Sequence, residues 1–422
     1  VFNAGLSLEQ APPISVVLRF FLTVPFFGLL LSALMIAAPM ELLTPSHPLS
    51  LAAIHLILLG VITMSMIGAL FQMQSVLGGR PIPSPMGNAL IIHTFLVIGI
   101  LSLAGAFIFS LSALFVIAAV MLGAAIIYTA NIILPLLFGG ITHDTLRGMR
   151  VALISLAITA ILGIVMATSY ANDSFSPLHD VIRTSHYSLG LIGWIGALII
   201  AVAFQVVEMF YVTTPYSLWC KRNGFRIIAA ALALKILWLF LALPYVWMFD
   251  GVLAALLMGF AVTTARRLRE RKRRVSDVSI WFWESGIALL IVALIAHIGY
   301  LWSGSITIES VALIAFSLFA LSIILGMMGK IVPFLVWFHL NSQGFMDAPI
   351  MSNVIRADRL KTTFWLFLST ALFALVSPLY SEALRLAGVS AAMMFVLLSV
   401  NLLGALKLYR YTMAHGTRFE QI

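Results

Sequence analysis

The sequence predicts an all-α polytopic membrane protein of about twelve transmembrane helices in three four-helix arcs, and three observations lead there. Hydrophobic residues make up 62% of the 422 and charged residues only 9%, with mean hydropathy +1.11. A soluble domain of this length would need far more charge to cover its surface. Apolar segments of about 20 residues, the length that crosses a bilayer, follow one another along the whole chain. One spaced pattern of residues returns in every fourth segment.

The segments fall at 14–39, 49–77, 87–109, 111–138, 148–170 and 186–213 in the first half. They continue at 224–242, 244–265, 279–302, 308–338, 361–380 and 386–410 in the second. The first is expected to be retained as a span, because no small-residue cleavage site follows it. The whole chain, 1–422, reads as a single transmembrane domain. Its arcs would be segments 11, 12, 1 and 2, then segments 3–6 at 87–213, then segments 7–10 at 224–338.

Orientation follows from the basic loops, since Lys and Arg in short loops stay on the cytoplasmic side. Arg80, Arg147, Arg150, Lys221, Arg222, Arg226, the run Arg266 to Arg274, Arg356, Arg359 and Lys361 all lie on one side. The opposite loops hold Arg183 and Arg385. Both termini are therefore expected in the cytoplasm, in a bacterial inner membrane. The basic run reads as a topogenic loop, not as a nucleic-acid or anionic-lipid site. A single cysteine, Cys220, excludes an intrachain disulfide and a redox dithiol.

The repeated pattern sets Gly60, Gly68 and Gln72 in the second segment against Gly193, Ala201 and Gln205 in the sixth. More loosely, it returns as Leu318, Gly326 and Lys330 in the tenth. In a straight helix these positions fall within about 120° of each other. Small residues there let helices approach, and an amide or ammonium at the end of the pattern must look inward. His55 and His186 lie just upstream in the first two copies, where the third has Val311 and Leu313. Threefold internal pseudosymmetry is the expected consequence.

Two polar groups follow from this topology. His55, His186, His297 and Asp250 fall in the outer third of the membrane. Imidazoles from different helices can hold haem iron, copper or zinc, against plainer readings: a hydrogen bond to a neighbouring carbonyl for His55, a ring facing water at a helix start for His186, and a helix outside the repeat for His297. Gln72, Gln205, Glu208, Lys235, Glu284, Lys330, His339 and His93 are assigned to the cytoplasmic half, with Lys330 and Lys235 expected to meet Glu208, Glu284, carbonyls or water. That group reads either as a polar pathway for protons or ions or as a neutralised cluster that fixes helix register. Met64, Met66 and Met73 read as gap-fillers before they read as copper ligands. No phosphate-binding loop, Cys-x-x-Cys, His-Glu-x-x-His or nucleophile elbow is present.

Taken with the strings HLILLGVITMSMIGALFQ, HYSLGLIGWIGALIIAVAFQVV and LSIILGMMGKIVPFLVWFHL, the layout resembles the catalytic subunit of haem-copper oxidases and nitric oxide reductases, including NnrS-type haem- and copper-binding membrane proteins. The resemblance covers the architecture of nearly the whole chain and implies a haem-copper-oxidase-like fold. It places His55 where the family ligates its low-spin haem and His186 on the helix that carries a copper ligand. It also marks what is missing: Val311 and Leu313 replace the axial ligands of the tenth helix, and no histidine lies between Cys220 and Tyr245. Full oxygen or nitric oxide reduction is therefore not expected.

Three functions stay open at this point. The first is a degenerate family member that binds at most one haem b through His55 and His186, with copper ranked below haem. It would serve electron transfer or gas binding and sensing for O2 or NO, and would take electrons from a membrane partner or from quinol. His186, His297 and Asp250 are the set considered for a metal. The second is a transporter or assembly factor for a metal, haem, proton or small solute, with Pro333 expected to break the tenth helix. The third is a cofactor-free scaffold or accessory subunit. Oligomeric state has no signature here.

Overall fold

Among the described residues, twelve helices are long and apolar enough to cross a membrane. They are α1 (Ile14–Ala37), α2 (Pro48–Gly78), α3 (Pro85–Phe109), α4 (Ser112–Gly139), α5 (Asp144–Ala171) and α6 (His179–Tyr211). The second half supplies α7 (Leu218–Phe240), α8 (Trp247–Arg269), α9 (Val278–Ser303), α10 (Ile306–Asn341), α11 (Ala357–Val376) and α12 (Ala383–His415). The computed structural model describes residues 8–139, 144–272 and 277–418. Among the described residues there is no strand, only an isolated bridge between Phe345 and Arg418. The protein is a multi-pass, all-α membrane protein.

The helices run past the apolar segments in several places. α6 begins at His179 and not near 186, α7 begins at Leu218 and not at 224, and α12 continues to His415. The added residues are polar or basic, so a hydropathy window stops before the backbone hydrogen bonding does. As a result His186 sits two turns inside its helix. α10 corrects another expectation, since it runs unbroken from Ile306 to Asn341 with Pro333 inside it.

Irregularity appears elsewhere. α2 and α6 each contain an eight-residue π-helical stretch, Leu56–Thr63 and Leu189–Gly196. A shift of 133 residues carries Gly60, Gly68 and Gln72 onto Gly193, Ala201 and Gln205, and it carries one π stretch onto the other. The first two copies of the repeat thus share the π turn, while the third, on α10, is α-helical throughout. Such turns are rare and favour functional sites. The same shift maps His55, just before the first stretch, onto Ser188, just before the second.

The chain forms two compact units. Among the described residues unit 1 takes in 8–12, 69–139, 144–272 and 290–312, and unit 2 takes in 13–68, 277–289 and 313–418. In unit 1, α3 packs on α4, α4 on α5 and α5 on α6. In unit 2, α11 packs on α12, α12 on α1 and α1 on the π stretch of α2. The neighbour order is the same in both. Exposed aliphatic side chains such as Ile91, Ile98, Val116, Val120, Ile158 and Ile161 cover outward faces of α3 to α5, as lipid contact requires.

The small residues of the pattern are the places where the preceding helix crosses. A Cβ on Gly60 would lie 2.6 Å from Phe27 Cβ, and one on Gly68 would lie 2.8 Å from Phe20 Cβ, both on α1. In unit 1 the Ala201 methyl packs against Gly148 of α5, and Gly193 faces Ser155 of the same helix. In the third copy Gly326 abuts Phe282 of α9. The three helices that carry the pattern are also the most interior: 72% of the most apolar stretch is buried in α2, α6 and α10, against 28–61% in the others.

Gly60→Ala and Gly68→Ala are expected to destabilise the fold by about 1–3 kcal/mol each, because a phenylalanine near its own backbone must give way. Gly87→Ala, with nothing within 4 Å of the new methyl, should be neutral. Thermal unfolding of the purified protein in detergent checks this, and equal behaviour of all three variants would contradict the crossing role.

Candidate functional site

Lys235 and Asp250 lie in the hairpin of α7 and α8, five residues before the end of one helix and in the first turn of the other. Their side chains are 4% and 6% exposed, and Lys235 Nζ donates to Asp250 Oδ1 over 2.6 Å. Nζ also donates to Ser188 Oγ at 3.0 Å, the residue that opens the π stretch of α6. His297 of α9 brings Nε2 to 3.5 Å from the same carboxylate oxygen, with 31% of its side chain exposed. Residues of α7, α8 and α9 therefore meet at one carboxylate, and α6 joins them through the Lys235 ammonium. The Tyr187 ring lies on the same side, its centroid 6.0 Å from Nζ.

Neither charge could stand there alone. Desolvating an isolated ammonium or carboxylate costs several kcal/mol, which only a close partner with further hydrogen bonds offsets. Ser188 supplies one such bond to Lys235. His297 is the partly exposed member of the group, while the two charges it stands beside are buried.

This geometry revises the expected grouping. Lys235 belongs with Asp250 and Ser188, not with Glu208 or the inner amides, because it stands about 7.5 Å from the Phe240 end of α7. Glu208 instead accepts from Lys221 Nζ at 2.7 Å and from the Tyr216 N–H at 2.8 Å across the α6–α7 turn. Lys330 pairs with Asp277 in unit 2. Asp277 also caps α9, accepting from Ser279 N–H at 3.0 Å and Ser279 Oγ at 2.7 Å. Glu284 is exposed, and His93 and Gln205 are half-buried. Gln72 is 6% exposed, with no hydrogen-bond partner for Oε1 among the described residues. The residues proposed as one polar pathway thus occupy separate places: a turn, a helix cap and a buried pair.

The histidines divide as well. His55, in unit 2, points Nδ1 at Leu51 O over 2.7 Å, and His186, in unit 1, points Nδ1 at Thr159 O over 3.0 Å. A carbonyl can only accept, so in each neutral ring Nδ1 carries the proton and the lone pair is on Nε2. This is the orientation that metal-bound histidines commonly take. Asp250 Oδ1, by contrast, already holds an ammonium. Among the described residues no three His, Cys, Asp or Glu side chains are grouped closely enough to hold a metal ion.

The residues present do not fit a haem-copper centre. Val311 and Leu313 offer no donor atoms. Gly60 and Gly68 of α2 lie against Phe27 and Phe20, both fully buried. Of the histidine positions singled out in the sequence, α2 and α6 each carry one imidazole oriented by a carbonyl.

Sequence reasoning missed Ser188 and both π stretches. The only advance signal was the alignment of His55 with Ser188 under the repeat.

Asp250→Asn, which leaves Lys235 buried without its counter-charge, is expected to lower stability by about 3–5 kcal/mol. The paired change Lys235→Met with Asp250→Leu removes both charges and should recover most of that loss. Thermal or denaturant unfolding of both variants decides it, and a stable Asp250→Asn protein would show that the pair is not desolvated. Neither a protein-family model nor a curated protein matches this chain.

Proposed function

We propose that the chain is a proton-coupled transporter of the bacterial inner membrane, with both termini in the cytoplasm and the Lys235–Asp250 pair as its proton-loading site. One observation carries the reading: a charged pair less than a tenth exposed, in helices that cross hydrocarbon, with a half-buried imidazole on the same carboxylate. Ionisable groups inside membranes are expensive and mark proton and ion pathways. A proton arriving through His297 neutralises Asp250 and frees the Lys235 ammonium, which keeps Ser188 as its acceptor. Loss of the proton restores the pair. The two states differ in the contacts of α6, α7 and α8, which is the differential interaction that a coupled conformational change requires. The excess of Lys and Arg on one side supports the orientation.

Proteoliposomes holding a potassium diffusion potential and a pH-sensitive dye test this. Wild-type protein should carry protons, and both Asp250→Asn and the Lys235→Met with Asp250→Leu double variant should fall to the background of empty liposomes. Because the double variant is expected to stay folded, its loss of flux separates a proton site from a structural ion pair. Wild-type flux equal to background sinks the reading.

A second reading is favoured by His55. Its carbonyl tether at the head of a π stretch suits an axial ligand to one haem b, serving electron transfer or gas binding with quinol or a membrane protein as donor. A haem there would supply the redox chemistry, while His55 would orient and hold it. Oxidised and dithionite-reduced absorption spectra of the purified protein decide this. The haem reading expects a Soret band that His55→Ala removes, and a colourless folded preparation ends it.

A further inference from the structure

The turn after α6 and the end of α8 meet at the basic end of unit 1. Lys272 N–H donates to Val212 O at 3.2 Å, Arg267 Nη1 donates to Thr214 Oγ1, and the hydroxyls of Tyr216 and Thr264 are 3.0 Å apart. Burial raises the Tyr216 phenol above its ordinary pKa, so it stays a neutral hydroxyl. Val212 holds this turn with φ +52°, a left-handed conformation that a β-branched residue rarely adopts.

Three donors in this corner are buried without an acceptor among the described residues: Nε of Arg267, Nε of Arg271 and Oγ1 of Thr213. Each such group costs free energy, and native structures leave few of them. The nearby carboxylates are engaged. Glu270 accepts from Arg266 at 2.8 Å, and Glu208 is held by Lys221 and Tyr216. Arg271 Nη1 closes the last turn of α8 through Leu268 O at 2.8 Å, which accounts for one donor of that guanidinium and leaves its Nε. Arg269 and Lys272 add positive charge beside it. Among the described residues, the corner therefore has donors and charge in excess of the acceptors beside it.

We propose that Arg267, Arg271 and Thr213 form a binding site for a phosphate-bearing anion at the basic end of unit 1. Planar guanidinium forks match phosphate oxygens, and a hydroxyl completes the set. The phosphate can belong to a lipid headgroup or to a soluble ion. The charge run is then more than a topogenic signal, and the site stands independently of the proton-loading pair.

Full-length protein is titrated at constant ionic strength with inorganic phosphate and, separately, reconstituted in phosphatidylglycerol or phosphatidylcholine vesicles, with thermal stability as the readout. A stabilisation by phosphate alone identifies a soluble ligand, and one by phosphatidylglycerol over phosphatidylcholine identifies a headgroup. Arg267→Lys keeps the charge and removes the fork, and Thr213→Val removes the hydroxyl. Each is expected to weaken the response roughly tenfold, the effect of losing a charge-assisted hydrogen bond. Arg222→Gln with Arg226→Gln, exposed cations outside the corner, should leave it unchanged. The site is overturned if neither anion stabilises the wild type. It is equally overturned if Arg267→Lys responds like the wild type, or if the Arg222 and Arg226 pair lowers the response as much as the corner variants do.

Discussion

Hydrocarbon gives helices no reason to prefer one another over lipid, so this fold depends on how closely their backbones can approach. The repeat supplies that closeness. Gly60 and Gly68 admit Phe27 and Phe20, Ala201 meets Gly148, and Gly326 meets Phe282. Each contact joins a patterned helix to the one before it in the chain. Because these contacts exchange side-chain volume for proximity, α2, α6 and α10 become interior, and interior helices are where a polar group can be kept from lipid.

The polar groups obey the same constraint locally. Lys235 has Asp250 and Ser188, Lys330 has the cap residue Asp277, and Glu208 has Lys221 and a backbone N–H. Each is answered within one or two neighbouring helices, not through a continuous file. What sets the first group apart is that both charges are buried and share a partly exposed ring, for His297 is 31% exposed while the pair it touches is not. The carboxylate is thus the point at which α6, α7, α8 and α9 share one charge balance.

Much of this was legible in the residues. The spans follow from apolar length, and the small positions of the repeat announced helix crossings. Asp250 and His297 read as neighbours in depth from the topology alone. Partner choice was not legible, because hydropathy reports depth and not the direction a side chain leaves its helix. Lys235 was grouped with Glu208 for that reason, although its place near the end of α7 already put it beside the start of α8. The π stretches left no mark in composition: LILLGVIT and LGLIGWIG have the composition of any apolar helix. Pro333 shows the converse, a strong local breaker absorbed by a helix that packs along its length.

Helix length in this chain is far from uniform. α10 has 36 residues and α11 has 20, lengths of about 54 Å and 30 Å at the α-helical rise. A hydrocarbon layer is about 30 Å thick, so α11 only just crosses it, while α10 has to tilt or to stand well clear of the lipid. Tolerance to bilayer thickness is accordingly governed by α11 and not by the average span. In a thicker, sterol-like membrane the mismatch would fall first on α11, leaving the longest helix to adjust by changing its tilt.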